Sequence, residues 1–139
     1  MDLDPKIPIC YYDGPQLTQV LINLMKNGAE AMKEGGVLEV RTKFEDGCCS
    51  LEVADTGCGI PKKELHSIFE PFFTTKTRGT GLGLAFAKRV VEEHGGQIYA
   101  KSECGQGTTF HICLPIQTRR PATEDVIESM GLAHPLVDR

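Results

Sequence analysis

Tryptophan is absent from this 139-residue chain, and aromatic residues make up only 6% of it. Its core must rest on Leu, Ile, Val, Phe and Met. Positive charge is not in excess either: the formal net charge is -4. A nucleic-acid surface is normally basic and clustered, so no nucleic-acid partner is expected. No apolar run approaches the roughly 20 residues that cross a bilayer. No secretory leader opens the chain. A cytoplasmic location is expected, with any membrane segment of the parent protein lying outside this chain. The six cysteines (Cys10, Cys48, Cys49, Cys58, Cys104 and Cys113) form no CxxC pairs. That spacing speaks against zinc, and they read as free thiols.

Hydrophobic residues at 40% and charged residues at 24% are the composition of one folded domain. Residues 1–116 are expected to form it. Beyond Pro115 the chain turns polar, and 117–139 reads as a tail, with at most a short helix over 125–130. Residues 7–12 read as an edge strand or extended entry. Pro15 suits a first helical turn, and a helix is expected over 16–32 with Leu17, Leu21, Leu24, Gly28 and Ala31 as its apolar stripe. Alternating runs at 37–44 and 50–54 flank Asp46-Gly47, a hairpin signal. Residues 61–69 read as a short helix and 70–83 as a mobile loop. A second helix is expected over 84–94, closed by Gly95-Gly96. A last strand pair follows, 97–102 and 108–114. The order predicts an α+β fold: a two-layer α/β sandwich, its sheet mixed but mostly antiparallel, with helices on one face.

Several constellations could carry chemistry. Asn23 and Asn27 are four apart and share one helix face, where side-chain oxygens could meet a magnesium ion and phosphates. Asp55-x-Gly57-x-Gly59 leaves a strand: a carboxylate can accept from an exocyclic amine, and the glycines let backbone approach a flat ring. Gly79-Thr80-Gly81-Leu82-Gly83-Leu84 runs into a helix, where glycine amides and the helix start suit an anion. It is not a Walker loop, since no Lys-Ser or Lys-Thr follows, and its spacing is wrong for a dinucleotide fingerprint. Phe72 and Phe73 could anchor a lid from which Lys76 reaches a terminal phosphate. Gly107-Thr108 could place a hydroxyl near the ligand. Each pattern alone also has an ordinary structural reading: a polar helix flank, a strand turn, a hinge, an apolar latch, a hairpin threonine.

Taken in order, the segments Asn23-Leu-Met-Lys-Asn27, Asp55-Thr-Gly-Cys-Gly59, Phe69-Glu-Pro-Phe-Phe-Thr-Thr-Lys76, Gly79-Thr-Gly-Leu-Gly-Leu84 and Gly107-Thr-Thr-Phe110 resemble the successive boxes of sensor histidine kinases. The short lid is most similar to their nitrogen-regulation branch. The resemblance implies the Bergerat ATP-binding fold, shared with gyrase, and ATP and Mg as cofactors. It implies that Asn27 holds magnesium and Asn23 helps at the phosphates. Asp55 would bind the adenine amine, with Gly57, Gly59 and Ile60 shaping the base pocket and Thr108 beside the base. Lys76 would approach the terminal phosphate, and Gly81, Leu82 and Gly83 would cradle phosphates. Ala31, Phe72, Thr80 and Leu84 complete the implied nucleotide-contacting set, and Asn27 and Lys76 the implied catalytic pair.

In ATPase relatives, by the same resemblance, a glutamate stands four residues before the metal-binding asparagine and activates water. Asn23 holds that position here, and an amide is no general base at neutral pH. The implied reaction is transfer of the phosphoryl group to a histidine on a separate dimerisation domain, with a response regulator downstream. The full-length protein is expected to be a homodimer and this chain a monomer. Its start reads as an incomplete first hairpin. His66, His94, His111 and His134 do not resemble the family's phospho-acceptor context. The alternatives are an ATPase of the same fold and a nucleotide-binding regulatory module without transfer.

Overall fold

The structure is a computed structural model that describes residues 1–8, 10, 12–73 and 82–116. The expected contributions of Lys76, Thr80 and Gly81, and the helix over 125–130, fall outside these residues.

Helix α1 spans Gly14–Ala31. Asp13 caps it: its Oδ1 accepts from the Gln16 N–H at 3.1 Å, and Pro15 occupies the first turn, where no N–H is needed. Its fully buried stripe is Val20, Leu24 and Gly28, with Leu17 and Leu21 as flanks. Leu24 and Gly28 of the stripe read in sequence are thus at its centre, and Val20 joins them at the i, i+4, i+8 positions that one sheet face can cover.

Strands β1 (Leu38–Glu45) and β2 (Cys48–Asp55) form a hairpin. Asp46 and Gly47 both take positive φ, 54° and 74°, as a two-residue type I′ turn requires. Helix α2 spans Gly83–Glu93, and strands β3 (Gln97–Glu103) and β4 (Gly107–Pro115) close the chain's fold. The sheet order is β1-β2-β4-β3, antiparallel throughout. The parallel element of the expected mixed sheet is a single bridge, Asp2 to Arg41.

The described positions among residues 7–12 join no strand, which leaves the extended entry of the two readings; Asp2 takes the edge of β1, through Asp2 N–H to Val40 O and Thr42 N–H to Asp2 O, both 2.9 Å. One sequence expectation is corrected. Residues 61–69 are successive turns rather than a helix, closed by i→i+3 bonds such as Glu64 N–H to Pro61 O at 2.9 Å. A segment this short cannot sustain a helix by itself. Its path follows the burial of Ile68, with Leu65 and Phe69 packed beside it.

The strand registers arrange the helix-facing side in rows across the sheet. Val40, Val53, Phe110 and Ala100 make one row; Leu51, Ile112 and Ile98 lie in the next. With Ala87, Val90 and Val91 of α2 and the α1 stripe they form the core. Each fully buried aliphatic side chain contributes about 1.5–3 kcal/mol. The other face is polar. There Arg41, Glu52, His111 and Tyr99 form a row over all four strands. Arg41 pairs with Glu52 at 3.0 Å, Glu52 meets His111 Nδ1 at 3.2 Å, and Tyr99 stacks on His111 with centroids 4.7 Å apart. Burial depresses the His111 pKa below its ordinary value, and Glu52 opposes that shift.

Helix α2 ends in a Schellman motif. Gly95 takes φ 78°, Gly96 N–H bonds to Val91 O, and Gly95 N–H to Glu92 O, both at 2.9 Å. His94 stands at the C-cap of this helix. Its Nε2 accepts from the Asp13 N–H at 3.0 Å, so the ring proton sits on Nδ1, which donates to Val90 O at 2.7 Å. The imidazole therefore ties the end of α2 to the start of α1, with Tyr12 packed edge-on at 5.8 Å. We predict that His94→Ala lowers unfolding stability by about 1–2 kcal/mol, the net worth of one or two such bonds. Chemical denaturation checks this; an unchanged midpoint would show that the tether contributes nothing.

Candidate functional site at the polar end of the sheet

One helix-facing row departs from the apolar pattern: Leu38, Asp55, Thr108 and Ser102, in register across the four strands. Asp55 is 8% exposed and Thr108 5%. A carboxylate this enclosed needs partners. Asp55 Oδ1 accepts from the Gly57 N–H at 2.8 Å, an Asx turn that folds the chain back as it leaves β2. Above it lies Gly28 of α1. A Cβ there would stand 2.7 Å from Leu38 Cδ1 and 3.5 Å from Asp55 Oδ2. The missing side chain is what lets α1 lie against Asp55.

The turn after Asp55 is pinned on both sides. Gly57 packs on the last turn of α1, where a Cβ would lie 2.6 Å from Ala31 O. That same carbonyl, one of the helix's unpaired C-terminal acceptors, receives the Cys58 N–H at 3.2 Å. Gly59 takes φ 76°, and a Cβ on it would fall on the Glu103 carbonyl oxygen. Gly105 N–H reaches Cys58 O at 2.8 Å. Ile60 N–H donates to Ser102 Oγ at 2.7 Å. Asp55, Gly57, Gly59, Ile60, Thr108 and Ala31 are therefore assembled at one place.

A second group gathers further along α1. Asn23 Nδ2 donates to Gly83 O at 3.2 Å, and its Oδ1 accepts from Gln19 Nε2 at 2.9 Å. Asn23 thereby holds the start of α2. Leu82, at the N-cap, gives the first turn no side-chain cap hydrogen bond, and the start of a helix is a place that suits an anion. Leu84 packs into the core through its side chain, which leaves its backbone as the part that can meet a ligand. Asn27 stands one turn from Asn23 and one turn from Ala31 on the same helix face, half-buried. Asn23 and Ala31 are about 12 Å apart along the axis at 1.5 Å per residue.

The two adjacent phenylalanines divide their duties. Phe73 packs against the core, whereas Phe72 takes φ 67° and is 74% exposed. Of the pair read as a lid anchor, Phe73 is the latch, and Phe72 stands in solvent rather than at Asp55. Three participants were missed in sequence: Gln19, Gly28 as a contact of Asp55, and Ser102. Ser102 had a legible signal. The alternation of 97–103 places it in phase with Ile98 and Ala100, a polar residue in an apolar series.

Among the described residues no group of three or more His, Cys, Asp or Glu side chains could hold a metal ion. The residues present fit magnesium only as a guest of a phosphate ligand. That ion keeps several waters, takes phosphate oxygens and needs only one or two protein oxygens, which the Asn27 side chain can supply.

Comparison with known proteins agrees with this geometry. Residues 12–118 match the family described as histidine kinase-, DNA gyrase B- and HSP90-like ATPase, and the chain belongs to it. Over 118 residues it is 43% identical to sporulation kinase E of Bacillus subtilis, which covers 84% of this chain and 16% of that protein. It is 41% identical over 128 residues to the sensory histidine kinase/phosphatase NtrB of Rhodobacter capsulatus, covering 83% of this chain and 36% of that protein. The chain thus spans about a sixth to a third of these relatives. Among solved structures, the catalytic domain of histidine kinase ThkA superposes with a TM-score of 0.75 at 34% identity, over 84% of this chain and 76% of that one. Full-length ShkA, in a complex with AMPPNP, also gives 0.75, at 32% identity over 85% of this chain and 25% of that one. The fold is that of a histidine-kinase catalytic domain. No helix among the described residues is long and apolar enough to cross a membrane.

Proposed function

We propose that this chain binds Mg-ATP along α1 and supplies the terminal phosphoryl group to a histidine on a separate dimerisation domain of the same protein. A response regulator would take the group onward. The observation that carries this reading is the enclosed Asp55 in its polar row, set against α1 at Gly28, with Asn27 the preceding residue of the same helix. Asp55 accepts from the adenine amine; Gly57, Gly59 and Ile60 bound the ring; Thr108 stands beside the base. Asn23 and the amides of Leu82, Gly83 and Leu84 serve the phosphates, together with Lys76, Thr80 and Gly81. Magnesium, with Asn27 as its protein ligand, would neutralise phosphate charge.

Transfer rather than hydrolysis is favoured by the chemistry at Asn23. Its amide is committed to Gly83 and Gln19, and it has no carboxylate with which to take a proton from water. Phosphoryl transfer otherwise needs positioning and charge neutralisation, with the nucleophile in line and near contact. Two of the chain's described histidines are poor nucleophiles for this. His94 uses both ring nitrogens, and His111 pairs with Glu52 on the opposite face of the sheet. We further propose that the full-length protein is a cytoplasmic homodimer, that this chain alone is a monomer, and that 1–116 is the catalytic domain and 117–139 a tail.

With labelled ATP and magnesium, the chain alone is expected to remain unlabelled. Adding the parent's helical domain should place acid-labile label on that partner, and chelating magnesium should abolish it. Stoichiometric acid-labile labelling of the isolated chain, lost on replacing one of its histidines, would overturn this division of labour.

A further inference from the structure

We propose that Ser102 is a positioning residue for base recognition, its hydroxyl holding the 57–60 turn and Thr108 in register with Asp55. The inference rests on the ATP reading above and adds a residue that none of the five sequence motifs contains. A single oxygen meets three partners: the Ile60 N–H at 2.7 Å, the Gly107 carbonyl at 2.9 Å and Thr108 Oγ1 at 2.8 Å. A hydroxyl has one proton and two lone pairs, so these contacts fill its capacity.

The partners come from separate segments. Ile60 ends the glycine turn that follows Asp55, Gly107 closes the β3–β4 connection, and Thr108 is the cross-strand neighbour of both Asp55 and Ser102. Ser102 therefore joins the wall made by the turn to the wall made by β4. Core filling does not explain it, because Ile98 and Ala100 occupy the equivalent phase of β3 and make only apolar contacts there. Without the hydroxyl, the Ile60 N–H and the Gly107 carbonyl lose a partner in a half-enclosed place, and the Thr108 hydroxyl loses the contact that orients it.

The full chain carrying Ser102→Ala, Thr108→Val or both is tested by competition of ATP and GTP against a fluorescent ATP analogue. Ser102→Ala is expected to weaken ATP about tenfold, the scale of one or two such bonds. GTP, which gains nothing from a pocket shaped for an amine, should change little, so the ATP preference narrows by a similar factor. The double variant should be no worse than the more damaging single one, as expected for residues acting as a unit. Equal losses for ATP and GTP, or losses that multiply in the double variant, would overturn the proposal.

A second readout needs no nucleotide. Hydrogen exchange at the Ile60 amide should quicken in Ser102→Ala while the Val53 amide in the core stays protected; an unchanged Ile60 rate overturns the tether outright. If Val53 also loses protection, Ser102→Thr replaces the alanine variant. It keeps the hydroxyl and must keep the wild-type ATP preference, and losing that preference with Ile60 still protected overturns the idea. A wild-type chain indifferent to ATP and GTP would instead refute the ATP reading on which the inference stands.

Discussion

Asp55→Ala is expected to weaken ATP binding by about ten- to a hundredfold, since a buried charge-assisted hydrogen bond is worth roughly 1.5–3 kcal/mol. Part of that loss comes from the Gly57 N–H, which Asp55 Oδ1 also accepts. Asp55→Asn separates the two contributions. An asparagine keeps an oxygen for Gly57 and turns an NH2 toward the ligand, where the carboxylate offered only acceptors. It should lose ATP about as severely as alanine while discriminating less against GTP, whose carbonyl stands where adenine carries its amine. Titration of both variants with ATP and GTP checks this. Comparable ATP and GTP affinity in the wild-type chain would remove Asp55 as the base-selecting residue.

Gly107→Ala should be, with Gly59→Ala, among the most damaging glycine substitutions at this site, costing about 3 kcal/mol or more in a fold whose whole stability is about 5–15 kcal/mol. Two effects add. Gly107 takes φ 116°, a conformation side chains rarely adopt, and its Cβ would fall on the Asp55 carbonyl oxygen and lie 3.0 Å from Thr56 Cα. Both obstacles are backbone of β2 and its exit turn, so no rotamer change relieves them. Gly105 supplies the control. Its φ is 82° and nothing stands within 4 Å of its Cβ, so Gly105→Ala should cost only the backbone strain, about 1–2 kcal/mol. Denaturation midpoints of the two variants decide the matter. Similar, small losses would mean that β2 and β4 can separate at Asp55 without penalty.

Periodicity and turn chemistry are local properties, and they made most of this fold readable in the chain. Pro15, Asp46-Gly47 and Gly95-Gly96 mark boundaries where φ is restricted or must be positive, and all three lie where α1, the first hairpin and α2 require them. Asn23, Asp55 and the glycines stood out because each is a poor choice for its element unless something besides backbone needs it. That Val20 joins Leu24 and Gly28 at the centre of the α1 stripe, with Leu17 and Leu21 at its edge, was not readable, since both sets satisfy the same period and only the opposing sheet chooses between them. The failure of 61–69 to become helical has a similar cause: one buried residue, Ile68, and its two neighbours outweigh a weak local preference.

Residue types and their order along the chain were enough to name the fold and to single out the candidate site, because nucleotide-binding chemistry demands unusual residues at short spacings. Which of those residues touch was decided only when the strands paired. Register sets Asp55, Thr108 and Ser102 side by side from positions up to 53 apart, and a slip of one residue would turn all three to the other face. Tertiary packing likewise brought the Ile60 amide to Ser102 and the start of α1 to His94, contacts 42 and 81 residues apart that no local pattern could encode.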